Sequence, residues 1–180
     1  MLTNRYGKMW MMKRNKNVVI DKKAEFGKRV LLDTHAGGKI IIGRSYFGDY
    51  VKLHAAGGML KIGNDVTIGA FGFVNAAGNV TIDDHVLCAD KVNIVAENHG
   101  YADINIPIRK QRSIPGEIKI GEGSWLGINV TILAGTTIGK NCVVGANSVV
   151  KGHYDDFCVI AGNPARVVKR YDGKEWVKVK

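Results

Sequence analysis

Five histidines and three cysteines are the side chains of this 180-residue chain best suited to acid–base, nucleophilic or metal chemistry. An imidazole titrates near pH 6.5, so at cellular pH it can be neutral and take a proton from a hydroxyl as that oxygen attacks, a service worth roughly 100- to 10,000-fold in rate. His99 stands in a stretch of unusual composition, ENHGYADINIPIRKQRSIPGE, which is polar and charged and contains Pro107 and Pro115. His85 follows Asp83 and Asp84 at an apparent corner, and His35, His54 and His153 have no motif around them. These four read as surface residues, with His54 and His85 able to line a substrate groove.

What must position His99 is a repeat. Taking every sixth residue from Ile120 gives Ile120, Leu126, Ile132, Ile138, Val144 and Val150, all aliphatic. The residues that follow them are Gly121, Gly127, Leu133, Gly139, Gly145 and Lys151; three places further on stand Ser124, Val130, Thr136, Cys142, Ser148 and Tyr154. The register recurs upstream in Ile62, Ile68 and Val74 and in Ile82, Cys88 and Ile94, with a step of eight from Val74 to Ile82 that reads as a two-residue insertion at a corner. Ile42-Gly43 looks like an earlier, degenerate copy.

A period of six fits neither an amphipathic helix nor an alternating hairpin. Each hexad can supply one short strand and one corner, with the aliphatic residue inward and a glycine or small residue turning the chain. Three hexads close a triangular coil, and stacked coils bury a continuous aliphatic column. Spacing alone does not fix the hand of the coil, and right-handed crossovers are the general rule for parallel strands. Cys88 and Cys142 fall in inward columns and Cys158 lies near the last turn, so all three read as buried small apolar residues rather than nucleophiles. The 26-residue step from Ile94 to Ile120 is not a multiple of six, so the stretch around His99 should leave the coil as a long loop, and such loops are usually functional.

Composition agrees. Val and Ile total 38 residues against 8 Leu, and the 23 glycines are about twice the usual share. A helical bundle is excluded. No apolar run approaches the roughly 18 residues of a membrane span, the opening MLTNRYGKMWMMKRNKN lacks an apolar signal core, and three cysteines suit a reducing compartment; the expectation is a cytoplasmic protein. The chain reads as one domain: about 1–39 an N-terminal extension and first strands, 40–165 β-helix coils with an extruded loop at 97–117, and 166–180 a C-terminal tail.

The segment IGEGSWLGINVTILAGTTIGKNCVVGANSVVKG, followed by AGNPARVVKRY, resembles the carboxy-terminal half of hexapeptide-repeat acyltransferases, and NHGYADINIPIRKQ resembles the branch that O-acetylates sugars of bacterial surface polysaccharides. That resemblance covers roughly residues 40–170 and implies an all-β, left-handed parallel β-helix. It implies His99 as general base for attack on the acetyl-CoA thioester. It places Trp125, Gly127 and Ile128 beside the thioester, Ala146 further along the pantetheine arm, and Lys151, Arg166 and Lys169 toward the phosphates and adenine. Several relatives carry serine where this chain has Ile128, so oxyanion stabilisation would fall to backbone N–H groups or water. Asn75 matches an acceptor-orienting asparagine, His85, Tyr101 and Asp103 are further acceptor candidates, and either Glu97 or Asp103 is available to orient His99.

The same coil carries zinc carbonic anhydrases that place two histidines five residues apart. The nearest two here, His85 and His99, are fourteen apart, so no metal is expected. Family members form trimers with each active site between two protomers, and a three-fold ring is an ordinary closed symmetry. The net charge of +10 is scattered, with clusters at residues 8–29, 109–112 and 166–180 and no nucleic-acid-binding signature. A basic surface would speed encounter with CoA and anionic sugars, and would favour the inner membrane surface if the acceptor is lipid-linked. Transfer to an amino sugar, serine or antibiotic hydroxyl would keep the same mechanism. A non-catalytic scaffold would have no need of the His-bearing loop.

Overall fold

In the computed structural model, which describes residues 16–179, all six aliphatic residues from Ile120 to Val150 are buried, and so are all six of the second column from Ser124 to Tyr154. Each hexad makes one short strand, of two or three residues from β15 to β21 and up to five elsewhere. The first coil contains β1 (Val18–Ile20), β2 (Glu25–Phe26) and β3 (Leu31–His35), and the second β4 (Lys39–Ile42), β5 (Tyr46–Phe47) and β6 (Lys52–Ala56). The third has β7 (Met59–Ile62), β8 (Thr67–Ile68) and β9 (Phe73–Asn75), and the fourth β10 (Val80–Ile82), β11 (Leu87–Cys88) and β12 (Asn93–Val95). There the chain leaves the coil as a ribbon, β13 (Glu97–His99) against β14 (Ser113–Pro115). It returns as β15 (Ile118–Ile120), β16 (Trp125–Leu126) and β17 (Thr131–Leu133), then β18 (Thr137–Ile138), β19 (Val143–Val144) and β20 (Val149–Val150). A part-coil of β21 (His153–Tyr154) and β22 (Cys158–Gly162) closes the stack.

The strands form three parallel faces. Face I runs β1-β4-β7-β10-β15-β18-β21, face II runs β2-β5-β8-β11-β16-β19-β22, and face III runs β3-β6-β9-β12-β17-β20. This is a left-handed parallel β-helix, the exception to the crossover rule. The stretch before residue 40 already supplies one complete coil, in register with the next. The tail becomes β23 (Ala165–Tyr171) and β24 (Trp176–Lys178), which extend face II as antiparallel strands. Among the described residues no helix is long and apolar enough to cross a membrane.

Register explains the irregular spacing. Ile120 pairs with Ile138, 138 − 120 = 18 residues on, whereas Ile40 pairs with Leu60 and Leu60 with Val80, each 20 residues on. The two extra residues fall at corner III–I, and the same corner of the fourth coil expels the ribbon.

Glycine and small residues were expected to turn the chain, but the turning residues are mostly others. Eleven non-glycine residues have positive φ, among them Asp65 and His85 at corner I–II and Tyr50, Phe71, Asn129 and Asn147 at corner II–III. A left-handed conformation costs about 1–2 kcal/mol per residue, least for Asn and Asp. Nine of the eleven donate their N–H to a carbonyl one coil earlier, at 2.6–3.0 Å, as in Asn129 to Asp90 and Asn147 to Ile128. Hexad glycines serve clearance instead: a Cβ on Gly127 would lie 2.8 Å from the Ala146 backbone nitrogen and 3.0 Å from the Val144 carbonyl oxygen. Buried hydroxyls satisfy the corners; Ser124 Oγ donates to Gly139 O and accepts from Cys142 N–H, both at 3.0 Å.

Each inward residue is therefore held between the coils above and below it. Ile132→Ala, at a fully buried site, should lower unfolding free energy by about 2–5 kcal/mol in urea titration, while Val19→Ala on an exposed position should change it by no more than about 0.5 kcal/mol.

Candidate active site

His99 ends β13, opposite Ser113, at the root of the ribbon that leaves corner III–I. Its side chain is exposed, and among the described residues it has no hydrogen-bond partner. The ribbon is closed behind it by Gly100 N–H to Arg112 O at 3.1 Å. Gln111 fastens the tip: its Nε2 donates to Asp103 O and to Ile106 O, each at 2.8 Å, and its Oε1 accepts from Asp103 N–H at 3.3 Å. The expected loop is thus an organised ribbon whose tip carries Tyr101 and Asp103, both exposed.

Neither carboxylate offered as an orienter touches His99 in the protomer. Glu97 Oε1 accepts from Asn75 Nδ2 at 2.8 Å, and Asp103 Oδ1 accepts from Asn105 N–H at 2.9 Å. Asn75 Oδ1 also accepts from Ala77 N–H at 3.1 Å, so Asn75 ties the ribbon root to the third coil. Asn75, Glu97 and His99 therefore lie together along the corner III–I edge of face III.

The residues assigned to the acyl donor lie elsewhere. Trp125 is exposed on face II between Leu87 and Val143, and Gly127, Ile128 and Ala146 lie at corner II–III. A capping pattern runs up this corner. Asp49 Oδ1 accepts from Lys28 N–H at 2.7 Å and Asp90 Oδ1 from Ala70 N–H at 2.8 Å, each reaching one coil back. Ile128 and Ala146 stand in the next two places of that column and bring no acceptor. The backbone N–H groups of Asp90 and Ile128 are consequently left without an acceptor among the described residues; those of Asp49, which faces Ala70, and of Ala146 have none either. A groove along the earlier coils of this corner is lined by Tyr46, Asp49, Thr67, Ala70, Leu87 and Asp90, and reaches Ile128 but not Ala146.

The remaining candidates are spread out. Lys151 is exposed just after β20, Arg166 and Lys169 lie on β23, and Arg166 Nη1 donates to the Ala165 carbonyl at 2.8 Å. His85 sits at corner I–II, 3.7 Å from Asp65, on neither edge of face III. The chain brings Asn75 to the ribbon root and gathers Gly127, Ile128 and Ala146 at one corner, but it keeps the two groups on opposite edges of face III.

The three cysteines are free and buried. Burial pushes the Cys88 thiol up to about 12 and raises those of Cys142 and Cys158, the opposite of what a nucleophile requires. One cluster escaped the sequence: Asp33 and His54, register partners on β3 and β6, are 2.8 Å apart with His35 beside them. Nothing in a linear spacing rule reports a pair 21 residues apart; coil register does.

A triangular parallel coil with a polar ribbon expelled from one corner is the architecture of hexapeptide-repeat proteins. Residues 117–152 match the family model described as bacterial transferase hexapeptide (six repeats). The chain is 38% identical over 124 residues to a probable acetyltransferase of Mycobacterium tuberculosis, covering 69% of this chain and 41% of that one. It is 37% identical over 152 residues to WbbJ of Escherichia coli, named a putative lipopolysaccharide biosynthesis O-acetyl transferase, covering 78% of each. Among solved structures, AntD, an N-acyltransferase of Bacillus cereus in complex with dTDP and coenzyme A, superposes with a TM-score of 0.77 at 21% identity, covering 93% of this chain and 91% of that one. The chain belongs to the hexapeptide-repeat acyltransferases. It spans less than half of the mycobacterial relative's length.

The folded protein should react only slowly with a thiol reagent at pH 8, since all three thiols are buried and burial raises each of them. Unfolding in guanidinium should release three reactive equivalents per chain; rapid labelling of the native state would contradict the burial described.

Proposed function

We propose that this protein is an acetyl-CoA-dependent O-acetyltransferase that acetylates a sugar hydroxyl of a surface-polysaccharide precursor, with His99 as general base. The observation that carries the reading is the exposed, unpartnered imidazole at the ribbon root, held across face III from a row of unsatisfied backbone donors. In this reading the pantetheine arm lies along corner II–III and its amide carbonyls accept from the N–H groups left free at Asp90, Ile128 and Ala146. Trp125 and Gly127 flank the thioester, and Lys151, Arg166 and Lys169 meet the phosphates through charge-assisted hydrogen bonds.

The chemistry follows from these placements. The acceptor hydroxyl gives its proton to a ring nitrogen of His99 as its oxygen attacks the thioester carbon. The oxyanion that forms is stabilised by backbone N–H groups, because Ile128 supplies no hydroxyl. Collapse of the tetrahedral adduct breaks the C–S bond, and the departing thiolate recovers the proton from the imidazolium. Asn75, Tyr101 and Asp103 contact the acceptor.

Since one protomer keeps base and donor corner apart, we place the active site between neighbouring protomers of a trimer, the ribbon of one reaching the corner of the next. Such an enzyme works in the cytoplasm, where nucleotide- and lipid-linked sugars are assembled, and its basic surface suits peripheral contact with the inner membrane leaflet. The biosynthetic role in the name of WbbJ supports the sugar acceptor, and the dTDP and coenzyme A in the AntD complex are in keeping with an activated sugar and a CoA donor.

Thiol release from acetyl-CoA should be seen with at least one acceptor from a panel of sugars, nucleotide sugars and amino sugars. His99→Ala should lower kcat by roughly 100- to 10,000-fold with little change in acetyl-CoA affinity by calorimetry. Equal turnover in the two proteins would remove His99 from the mechanism, and failure of acetyl-CoA to bind would overturn the reading.

A further inference from the structure

On the outer side of face III three side chains meet that acyl transfer does not use. Alternation along β3 turns Asp33 and His35 to the same side, and parallel pairing sets Asp33 against His54 on β6. His54 Nδ1 lies 2.8 Å from Asp33 Oδ2, and His35 Nδ1 lies 4.0 Å from the same oxygen. The two imidazoles are 4.6 Å apart between centroids and tilted by 56°. One donor atom from each of the three residues falls within a 4.8 Å span. His54 is the least exposed of the three, its side chain 17% exposed.

We propose that Asp33, His35 and His54 bind one divalent transition-metal ion of the zinc class. Metal–ligand bonds of about 2.0–2.2 Å in tetrahedral array place donor atoms about 3.3–3.6 Å apart. The separations of 2.8 and 4.0 Å bracket that range, so small rotations of the side chains complete the set. Two imidazole nitrogens with one carboxylate suit zinc and its first-row neighbours, whereas calcium and magnesium take oxygen donors. Among the described residues Asp33 pairs with no Lys or Arg, so its charge faces the imidazoles alone. Adjacent rungs of one sheet hold all three ligands, which gives them the rigidity a site needs. Three protein ligands leave a position open to water or to another ligand. The site is one rung from Asn75, the register partner of His54, yet the proposal does not depend on the acyltransferase reading.

The full chain, untagged and stripped with EDTA, is titrated with zinc chloride by calorimetry and with cobalt chloride by visible absorption. One ion per chain is expected, with the intense cobalt bands of a four- or five-coordinate site. His35→Ala and His54→Ala should each weaken zinc binding at least about tenfold. Asp33→Asn, which keeps the side chain's shape, should do the same with an unchanged circular dichroism spectrum. His99→Ala and His153→Ala should bind as the wild type does. Absence of binding in the wild type, retention of affinity in Asp33→Asn and the histidine variants, or loss of binding in His99→Ala would each overturn the site.

Discussion

Backbone hydrogen bonds between successive coils fix nearly everything else in this molecule. A strand of two or three residues is far too short to be stable alone, so each survives by pairing in register above and below. That register sets the coil length locally, 18 residues between β15 and β18 and 20 to 22 between the earlier coils. It also demands that corners turn without consuming chain. Left-handed residues accomplish this, and the bond of about 0.5–1.5 kcal/mol that each donates to the coil below offsets much of its conformational cost. Gly127 shows the same pressure in another form, since any side chain there would strike the backbone of the next coil.

The candidate site residues stand where this ladder is left incomplete. Segment 97–115 cannot take coil register, so it is expelled at corner III–I, the corner already widened by two residues in earlier coils, and it carries His99 out with it. At corner II–III Asp caps reach back one coil from Asp49 and Asp90, whereas Ala70, Ile128 and Ala146 in the same column have no acceptor to offer. His99 and the free backbone donors stand on the two different edges of face III. In the mechanism proposed above, a neighbouring protomer rather than a motion of the solenoid brings these two edges together.

Much of this was legible in the residues themselves. The six-residue column from Ile120 to Val150 foretold the buried core, and the break after Ile94 located the ribbon. The cysteines in inward positions proved buried as their column implied. The coil beginning at Val18 was harder to see, because its hexads are stretched by a five-residue third strand and a 22-residue spacing between Val18 and Ile40. Corner chemistry was hidden too: a left-handed Tyr50 or Phe71 has no sequence signature of its own, and only at Tyr50 does a preceding Asp, Asp49, hint at the turn. The Asp33–His54 pair depends on coil length, which linear spacing of histidines does not contain. Separation of base and donor corner within one protomer likewise emerges only when each hexad is assigned to its face.

Subunit complementation tests the central claim most directly. His99→Ala chains and chains in which Ala146→Trp blocks the exposed donor corner, each inactive alone, are co-expressed in equal amounts and purified as mixed assemblies. If one protomer's His99 serves the next protomer's corner, random mixing leaves about one interface in four with both parts intact, so roughly a quarter of wild-type turnover should return. No recovery in verified mixed assemblies would mean that base and donor site belong to the same chain, and would contradict the account.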